Sequence, residues 1–213
     1  MPSNYPALLD HLVWLAGDLD AACAEFEAMS GITPRYGGRH PTGTHNAIVA
    51  LGPRVYLEIA APVPGAEAGH PWVDAARRRP EPHLYAYCMR TSGTLAALAD
   101  QVKAAGFQSF GPSAGNRTLP DGTLLEWELF IPIIPGANGA IPFHIDWLDT
   151  SHPATRSSID VKLTSFSIEH PDPQSIQHSM ALLAPGVDLR RGKNKVRMTA
   201  TLDTPIGLAT LSS

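Results

Sequence analysis

One helical pattern occurs three times along the chain, and it restricts the folds that are open to this sequence. In each copy a capping residue precedes apolar residues spaced three and four positions apart, and a glycine ends the pattern. The predicted caps are Asp18, Ser92 and Asp172, with the glycines 13 or 14 residues later. Because the copies start 74 and 80 residues apart, the sequence predicts a repeated structural unit.

Strand-like runs flank each predicted helix in the same order. The leading runs are 10–16, 82–89 and 162–169. The predicted hairpins pair 45–51 with 54–60, 124–131 with 141–148, and 196–202 with 206–211. This order predicts βαβββ modules at 7–62 and 82–149, a linker at 63–81, and a shorter βαβββ-like unit at 160–213.

A single βαβββ module leaves one face of its sheet bare, so two modules are expected to pair around a pocket. The predicted fold is therefore α+β, with repeated modules forming a curved, barrel-like mixed sheet. The third unit then covers another surface or contacts a second copy of the chain, which makes a homodimer an expectation.

Composition excludes several classes of partner. With 44% hydrophobic residues and 17% charged residues, the chain can bury a large core. Its net charge of −4 gives no basic surface for nucleic acid, and Arg77-Arg78-Arg79 between prolines is predicted to be an exposed loop. No apolar run long enough for a membrane span or a secretion signal is found, and two cysteines make no disulfide framework. A cytoplasmic location is expected.

Side chains alternate across a strand, so parity places several polar groups on one face. Tyr56 and Glu58 share a face of 55–60, and His11 shares one with Val13 in the first strand. The equivalent positions in later strands are His83, Tyr85 and Tyr87, and then His144 and Asp146. A sheet curled around a ligand gives this pattern, and so does a solvated face.

Glu58 and His11 are the main candidates for chemistry. A carboxylate in a β-rich run is costly to bury unpaired, so Glu58 is expected to be a ligand or base, or else part of a structural ion pair. His11 is a candidate ligand or substrate contact, the alternative being a histidine held at a strand start by Asp10.

Further candidates come from the glycine-rich loop before the third predicted strand. His45 and Asn46 are predicted pocket-lining donors, with His45 also a candidate catalytic group, although turn chemistry explains such residues equally well. Arg39 is either an anion clamp or a surface arginine. Tyr56 and Tyr85 are expected to line the pocket, where Tyr85 would stack on a ligand ring or fill the cavity.

Five segments together resemble the glyoxalase-like branch of the vicinal oxygen chelate superfamily, over residues of about 7–148. They are DHLVWLAGDLDAACAEFEAMSGI, GGRHPTGTHNAIVALG, VYLEIAAP, LPDGTLLEWELF and PFHIDW. The superfamily includes glyoxalase I, extradiol dioxygenases, and fosfomycin-resistance and bleomycin-binding proteins. Its members include both enzymes of unrelated chemistry and non-catalytic binders.

The resemblance implies a divalent metal held by the first and last strands of two paired modules. The matching positions are His11, Glu58, His83, and His144 or Asp146. Such ligands suit zinc, iron, nickel or manganese. The implied function is a small oxygenated molecule bound by a lyase, isomerase or dioxygenase in which the metal acts as a Lewis acid. The alternative is a protein that binds or sequesters a small molecule without a metal.

Overall fold

The structure is a computed structural model that describes residues 5–119, 121–156 and 158–213. Pro120, in the quoted segment LPDGTLLEWELF, and Ser157, in the predicted connector after the second module, lie outside the described residues. The helices are α1 (Leu19–Ser30), α2 (Pro71–Arg78), α3 (Leu95–Ala104) and α4 (Pro173–Leu183), with a 3-10 turn at Pro153–Arg156. None of the helices in the described ranges is long and apolar enough to cross a membrane.

Twelve strands form two sheets in the described part of the chain. Those of the first sheet are β1 (Leu9–Leu15), β2 (Arg35–Arg39), β3 (Thr44–Gly52), β4 (Val55–Pro62), β5 (His83–Met89), β6 (Gln108–Thr118), β7 (Leu124–Ile133) and β8 (Phe143–Asp146). Those of the second are β9 (Lys162–His170), β10 (Asp188–Arg191), β11 (Arg197–Thr204) and β12 (Gly207–Ser212).

The eight-stranded sheet has the order β2-β3-β4-β1-β5-β8-β7-β6, and its two halves meet where β1 runs antiparallel to β5. The sheet curves until its two edge strands approach each other. A Cβ added at Gly38 of β2 would lie 3.1 Å from the carbonyl oxygen of Thr118, the last residue of β6. The predicted curved mixed sheet of an α+β protein is confirmed, and it has an inner, concave face.

The four-stranded sheet has the same order of elements along the chain as the first module, but it pairs them differently. In the first half of the large sheet, β1 lies beside and parallel to β4. In the small sheet, β9 is instead parallel to β10 and antiparallel to β11, giving the order β10-β9-β11-β12. Leu12 and Trp14 of β1 share one core with Phe166 and Ile168 of β9, so the small sheet packs on the outer face of the large one.

Helix caps follow the predicted pattern in α1 and differ from it in α3 and α4, where Ala184 rather than Gly186 is the C-cap of α4. The Asp18 carboxylate accepts from the Ala21 amide at 2.8 Å, and Gly31 ends α1 with a φ of 72°. The predicted cap at Ser92 is wrong, because Thr94 caps α3 by accepting from the Ala97 amide at 3.1 Å.

The predicted linker 63–81 contains a helix, so the interpretation of the basic run as a loop is wrong. Arg77 and Arg78 form the last turn of α2, although both are exposed as expected. Residues of α2 such as Ala76 pack with Val13 and Ala60 on the inner face of the sheet. Eight residues between prolines are too few to show helical periodicity in the sequence.

A bulge in β5 breaks the expected alternation. Val13 pairs with Ala86 and Trp14 pairs with Leu84, so Tyr85 is the extra residue. The prediction that Tyr85 and Tyr87 share a face is therefore wrong. Tyr87 belongs to the outer core, where it packs on Phe166 at 5.0 Å between ring centroids.

Candidate functional site

Four buried polar side chains from four different strands meet on the inner face of the large sheet. They are His11 of β1, Asn46 of β3, Glu58 of β4 and Arg117 of β6, and their exposed fractions are 3%, 2%, 5% and 4%. Because β1 pairs in parallel with β4, with His11 opposite Tyr56 and Val13 opposite Glu58, the imidazole and the carboxylate become neighbours.

Asp10 fixes the orientation of the His11 ring. Its carboxylate is fully buried and accepts from His11 Nδ1 at 2.7 Å and from His152 Nε2 at 3.1 Å. Trp147 Nε1 and Arg90 Nη1 also donate to it, at 3.2 and 3.3 Å. Burial alone would raise the pKa of Asp10, but the hydrogen bonds and charges of the two histidines lower it well below its usual range. Asp10 is therefore ionised, and Nδ1 of His11 carries a hydrogen.

The other ring nitrogen of His11 faces Glu58. Nε2 lies 3.6 Å from Glu58 Oε2, while the ring stacks on Tyr56 with 4.5 Å between centroids. Phe143 contacts the ring edge-on at 5.4 Å. If His11 is neutral, its Nε2 lone pair points at a carboxylate oxygen, which places two acceptors opposite each other. A proton or a cation between them removes this repulsion.

The second oxygen of Glu58 has partners of its own. Asn46 Nδ2 donates to Oε1 at 2.6 Å, and His40 Nε2 lies 3.8 Å from the same atom. Burial would raise the pKa of Glu58, but His40, His11, the Asn46 hydrogen bond and Arg117 together lower it. Burial lowers the pKa of His40, so near pH 7 this imidazole is neutral beside a charged carboxylate.

Arg117 joins the site from the opposite edge of the sheet. Its Nη1 donates to Asn46 Oδ1 at 2.6 Å, so Asn46 connects the guanidinium to Glu58. Gly37 of β2 makes this contact possible, because a Cβ there would collide with Asn46 Oδ1 and lie 3.0 Å from Arg117 Nη1.

The structure thus brings together His11, Asn46, Tyr56 and Glu58 among the residues singled out in the sequence. His83 is placed elsewhere. It pairs with Leu15 at the other end of β1, whereas His11 pairs with Cys88, and its Nδ1 hydrogen-bonds to the Glu81 carbonyl at 2.9 Å.

His144 and Asp146 lie on the outer side of β8, away from the inner face. His144 Nε2 donates to the carbonyl of Leu183 in α4 at 2.8 Å, and Asp146 Oδ1 accepts from the Leu148 amide at 2.9 Å. The inner face of β8 carries Ile145, so the expected parity of this strand is reversed.

The remaining candidates are separated from this centre. Arg39 is exposed on β2, and Tyr85 packs edge-on against Trp72 at 6.0 Å. His45 is half-buried and lines a surface groove of about 670 Å³ beside the first turn of α1. Since His45 and Asn46 are adjacent in a strand, alternation alone could have shown that only one of them faces inward.

Several members of the site were not identified in the sequence as functional residues. They are Asp10, His40, Arg117 and His152. The Asp-His pair at 10–11 is a readable signal, because a carboxylate next to a histidine often orients it. No local pattern marks Arg117, whose strand was not predicted.

Two groups of side chains offer donor atoms for a divalent ion, and the first fits poorly. Asp10, His11 and Cys88 present ligand atoms within 4.8 Å of one another. However, Asp10 already accepts four hydrogen bonds, and burial raises the pKa of the Cys88 thiol well above its usual value.

The second group, the His11–Glu58 pair, fits better. The 3.6 Å between His11 Nε2 and Glu58 Oε2 is near the roughly 3.4 Å that separates neighbouring donors of a tetrahedral ion with bonds of about 2.1 Å. His11 also donates its other N–H to a carboxylate, as metal-bound histidines commonly do.

The fold and site define a glyoxalase-like protein, and sequence comparison agrees. The family model described as "Glyoxalase-like domain" matches residues 9–183, and the chain belongs to this family. The match includes β9 and α4 of the small-sheet unit. No curated protein matches the sequence.

One solved structure has the same fold at low sequence identity, and two others overlap with this chain in part. A hypothetical protein from Staphylococcus aureus is 13% identical, with 96% of this chain and 84% of that chain covered at a TM-score of 0.67. Methylmalonyl-CoA epimerase from Mycobacterium tuberculosis is 16% identical, with 68% of this chain and 89% of that chain covered at a TM-score of 0.48. A variant of the Streptomyces coelicolor epimerase in complex with 2-nitronate-propionyl-CoA is 16% identical, with 68% and 98% covered at 0.49. Partial overlap of this kind transfers no property of the epimerases to this chain.

Proposed function

We propose that this protein is a metal-dependent enzyme that acts on a small oxygenated molecule by proton transfer, as a lyase or isomerase. The observation that carries the proposal is the buried pair of His11 Nε2 and Glu58 Oε2, 3.6 Å apart, with the histidine tautomer fixed by Asp10. When His11 is neutral, its Nε2 and the Glu58 oxygen are two acceptors opposite each other, and a cation between them removes the repulsion.

His11 and Glu58 are the proposed ligands of the ion, since Nε2 and Oε2 lie 3.6 Å apart. A divalent ion there supplies Lewis-acid stabilisation of an oxyanion or enolate. Asp10 keeps the His11 lone pair directed at the centre, and Asn46 keeps the Glu58 carboxylate from turning away. Trp127 and Tyr56 are part of an apolar wall that limits water at this place.

His40 is the proposed general base. Burial lowers the pKa of its imidazole, so the ring is neutral and able to accept a proton near pH 7. Its side chain is 16% exposed, against 4% for that of His11, so it can pass a proton to solvent. Thr44 Oγ1 lies 3.0 Å from Nδ1 and orients the ring.

A pair of matched histidine variants tests the ligand assignment. We expect the purified protein to bind Mn²⁺ or Zn²⁺ in isothermal titration calorimetry, and His11→Ala to weaken this at least about a hundredfold, in line with the loss of a metal contact. His83→Ala removes the same side chain from the other half of the sheet and should leave affinity unchanged. The proposal fails if the wild-type protein has no specific site, or if both variants weaken binding equally.

A second candidate is a protein that binds a small molecule without metal. It is favoured by the hydrogen bond that the Glu58 carboxylate already accepts from Asn46, which gives this buried charge a partner without an ion. A ligand that binds the folded state raises the melting temperature. If a compound does so in the presence of EDTA and metal adds nothing, this second function replaces the first.

A further inference from the structure

We infer that Arg117 forms a carboxylate-binding subsite beside the His11–Glu58 centre, so that the substrate carries an anionic group in addition to the oxygens at the centre. The inference deepens the proposed function and depends on it for the position of the reacting end. It assigns the substrate to the class of short dicarboxylates and related oxo or hydroxy diacids.

The Arg117 guanidinium is buried with few partners. The residue is 4% exposed, and its Nε has no hydrogen-bond partner among the described residues. The one side-chain acceptor it contacts there is the neutral Asn46 amide, at 2.6 Å. A guanidinium presents donors in a planar fork that matches a carboxylate, and a buried donor without a partner is costly.

The charge of Arg117 is also balanced only indirectly. Within residues 5–119, 121–156 and 158–213, no carboxylate lies within 4.0 Å of the Arg117 guanidinium, so Glu58 acts on its charge across the Asn46 amide and without a direct ion pair. When Glu58 binds a cation, its charge is engaged there. The buried Arg117 charge is then uncompensated, and an anionic group on the substrate restores the balance.

The distance between Arg117 and Glu58 suits a short diacid. The path from Arg117 Nη1 to Glu58 Oε1 runs through two hydrogen bonds of 2.6 Å and the Asn46 amide group. The two atoms are therefore at most about 8 Å apart, given ordinary amide bond lengths. A diacid such as malonate or succinate has the length to reach from Arg117 towards a cation held by Glu58.

A purely structural role for Arg117 makes a different prediction. The side chain also connects edge strand β6 to Asn46 of β3, and Gly37 leaves room for it. If closing the sheet were its whole role, removing the guanidinium would weaken the binding of a dicarboxylate and of its monoamide to the same extent. An anion subsite instead changes the ratio between them.

The test compares malonate with its monoamide, malonamate, in calorimetric titrations of the Mn²⁺-loaded protein. We expect malonate to bind about ten- to a hundredfold more tightly than malonamate, as for a hydrogen-bonded charge pair. Arg117→Gln should abolish this preference and Arg117→Lys should keep part of it. Arg39→Gln, which removes an exposed arginine from neighbouring β2, should leave it intact.

Three outcomes overturn the inference. The first is equal binding of malonate and malonamate by the wild-type protein, a result that does not depend on any variant folding. The second is a malonate preference that survives in Arg117→Gln. The third is a preference that is lost to the same extent in Arg39→Gln. Repeating the titrations with EDTA separates this inference from the proposed function. A malonate preference that needs Arg117 but no metal supports the subsite and contradicts the metal-dependent enzyme. Metal binding without a malonate preference supports the metal site and contradicts the subsite.

Discussion

The first strands of the two halves of the eight-stranded sheet contain the same dipeptide, His-Leu, in different surroundings. β1 contains His11-Leu12, and β5 opens with His83-Leu84. In β1 the histidine follows Asp10, which orients it towards Glu58. In β5 it follows Pro82, and its ring bonds to a backbone carbonyl. The residue before the histidine and the strand beside it therefore decide whether the ring is available for chemistry.

The site is accordingly divided unequally between the halves. Strands β1, β3 and β4 and the β2–β3 loop supply His11, Asn46, Glu58 and His40. The second half supplies apolar walls such as Trp127 and Phe143, and the Arg117 guanidinium that donates to Asn46. The resemblance had implied ligands from both halves, and the positions of His83 and Asp146 show that the structure does not bring them to this centre.

The largest effect on stability should come from the buried carboxylate of the first half. Asp10→Ala leaves His11, His152, Trp147 and Arg90 without their shared acceptor, and we expect the free energy of unfolding to fall by about 3–5 kcal/mol. Urea denaturation measures this. Glu81→Ala, the corresponding exposed carboxylate near His83, should change stability by less than about 0.5 kcal/mol. Similar losses in both variants would contradict the difference between the halves.

The second half should show its own dependence on pH through His144. Burial lowers the pKa of His144 to about 4, so between about pH 6.5 and pH 4 the unfolded state binds a proton that the folded state does not. The free energy of unfolding therefore decreases as the pH is lowered from about 6.5 to about 4, and His144 accounts for on the order of 3 kcal/mol of this decrease. When the free energy of unfolding is plotted against pH from pH 7 to pH 4, the slope should be smaller for His144→Phe than for the wild-type protein. Parallel curves for the two proteins would refute the assignment.

Asp10 of the first half should not contribute to that window. Its pKa is lowered, so its stabilising contribution is complete above about pH 4, the usual value for an aspartate, and is lost only in stronger acid. Comparing Asp10→Asn with the wild-type protein below pH 4 isolates this contribution.

A smaller effect should follow from filling the space at the closing edge. Gly37→Ala places a methyl group against Asn46 and Arg117, and we expect a loss of about 1–3 kcal/mol together with a weaker preference for malonate. Gly93→Ala is the matched change in the second half, where no atom lies within 4 Å of the added Cβ. Equal free energies of unfolding for the two alanine variants would mean that β2 tolerates the methyl group at position 37.

The smallest effect should be shared equally by the halves. Asp18→Ala and Thr94→Ala each remove a side-chain cap, from α1 and α3 respectively, and each should cost about 1 kcal/mol. Thermal unfolding of the two variants measures this. Clearly unequal losses would show that the helices of the two halves are not held in the same way.

The regular elements of the fold were predictable because their signals are local. Helix α1 has both a capping aspartate and a closing glycine, and the three predicted hairpins are present. Strands β2, β6 and β10 were missed. β2 contains Gly37 and Gly38, and β6 contains Gly111 and Pro112, which are weak strand formers, so pairing with neighbouring strands holds them in place.

The site was predictable only where strand alternation was regular. Parity placed His11, Tyr56 and Glu58 on one face, and the structure has them there. The same rule failed in β5 because a bulge shifts the register after Tyr85. His40 lies in a loop without periodicity, and Arg117 reaches the centre from a strand 71 residues further along the chain than Asn46. A contact between strands this far apart in the chain cannot be predicted from the residues around either partner.

The position of His40 has a consequence for how the protein works in time. This ring sits on the short turn between β2 and β3, and it is the most solvent-accessible of the groups around Glu58. A swing of that turn would admit a guest molecule and, in the same movement, carry the imidazole away from the carboxylate. Under the proposed function, entry of a molecule and proton transfer by His40 would then exclude each other at any moment, and the rate of this movement would limit the rate of the reaction.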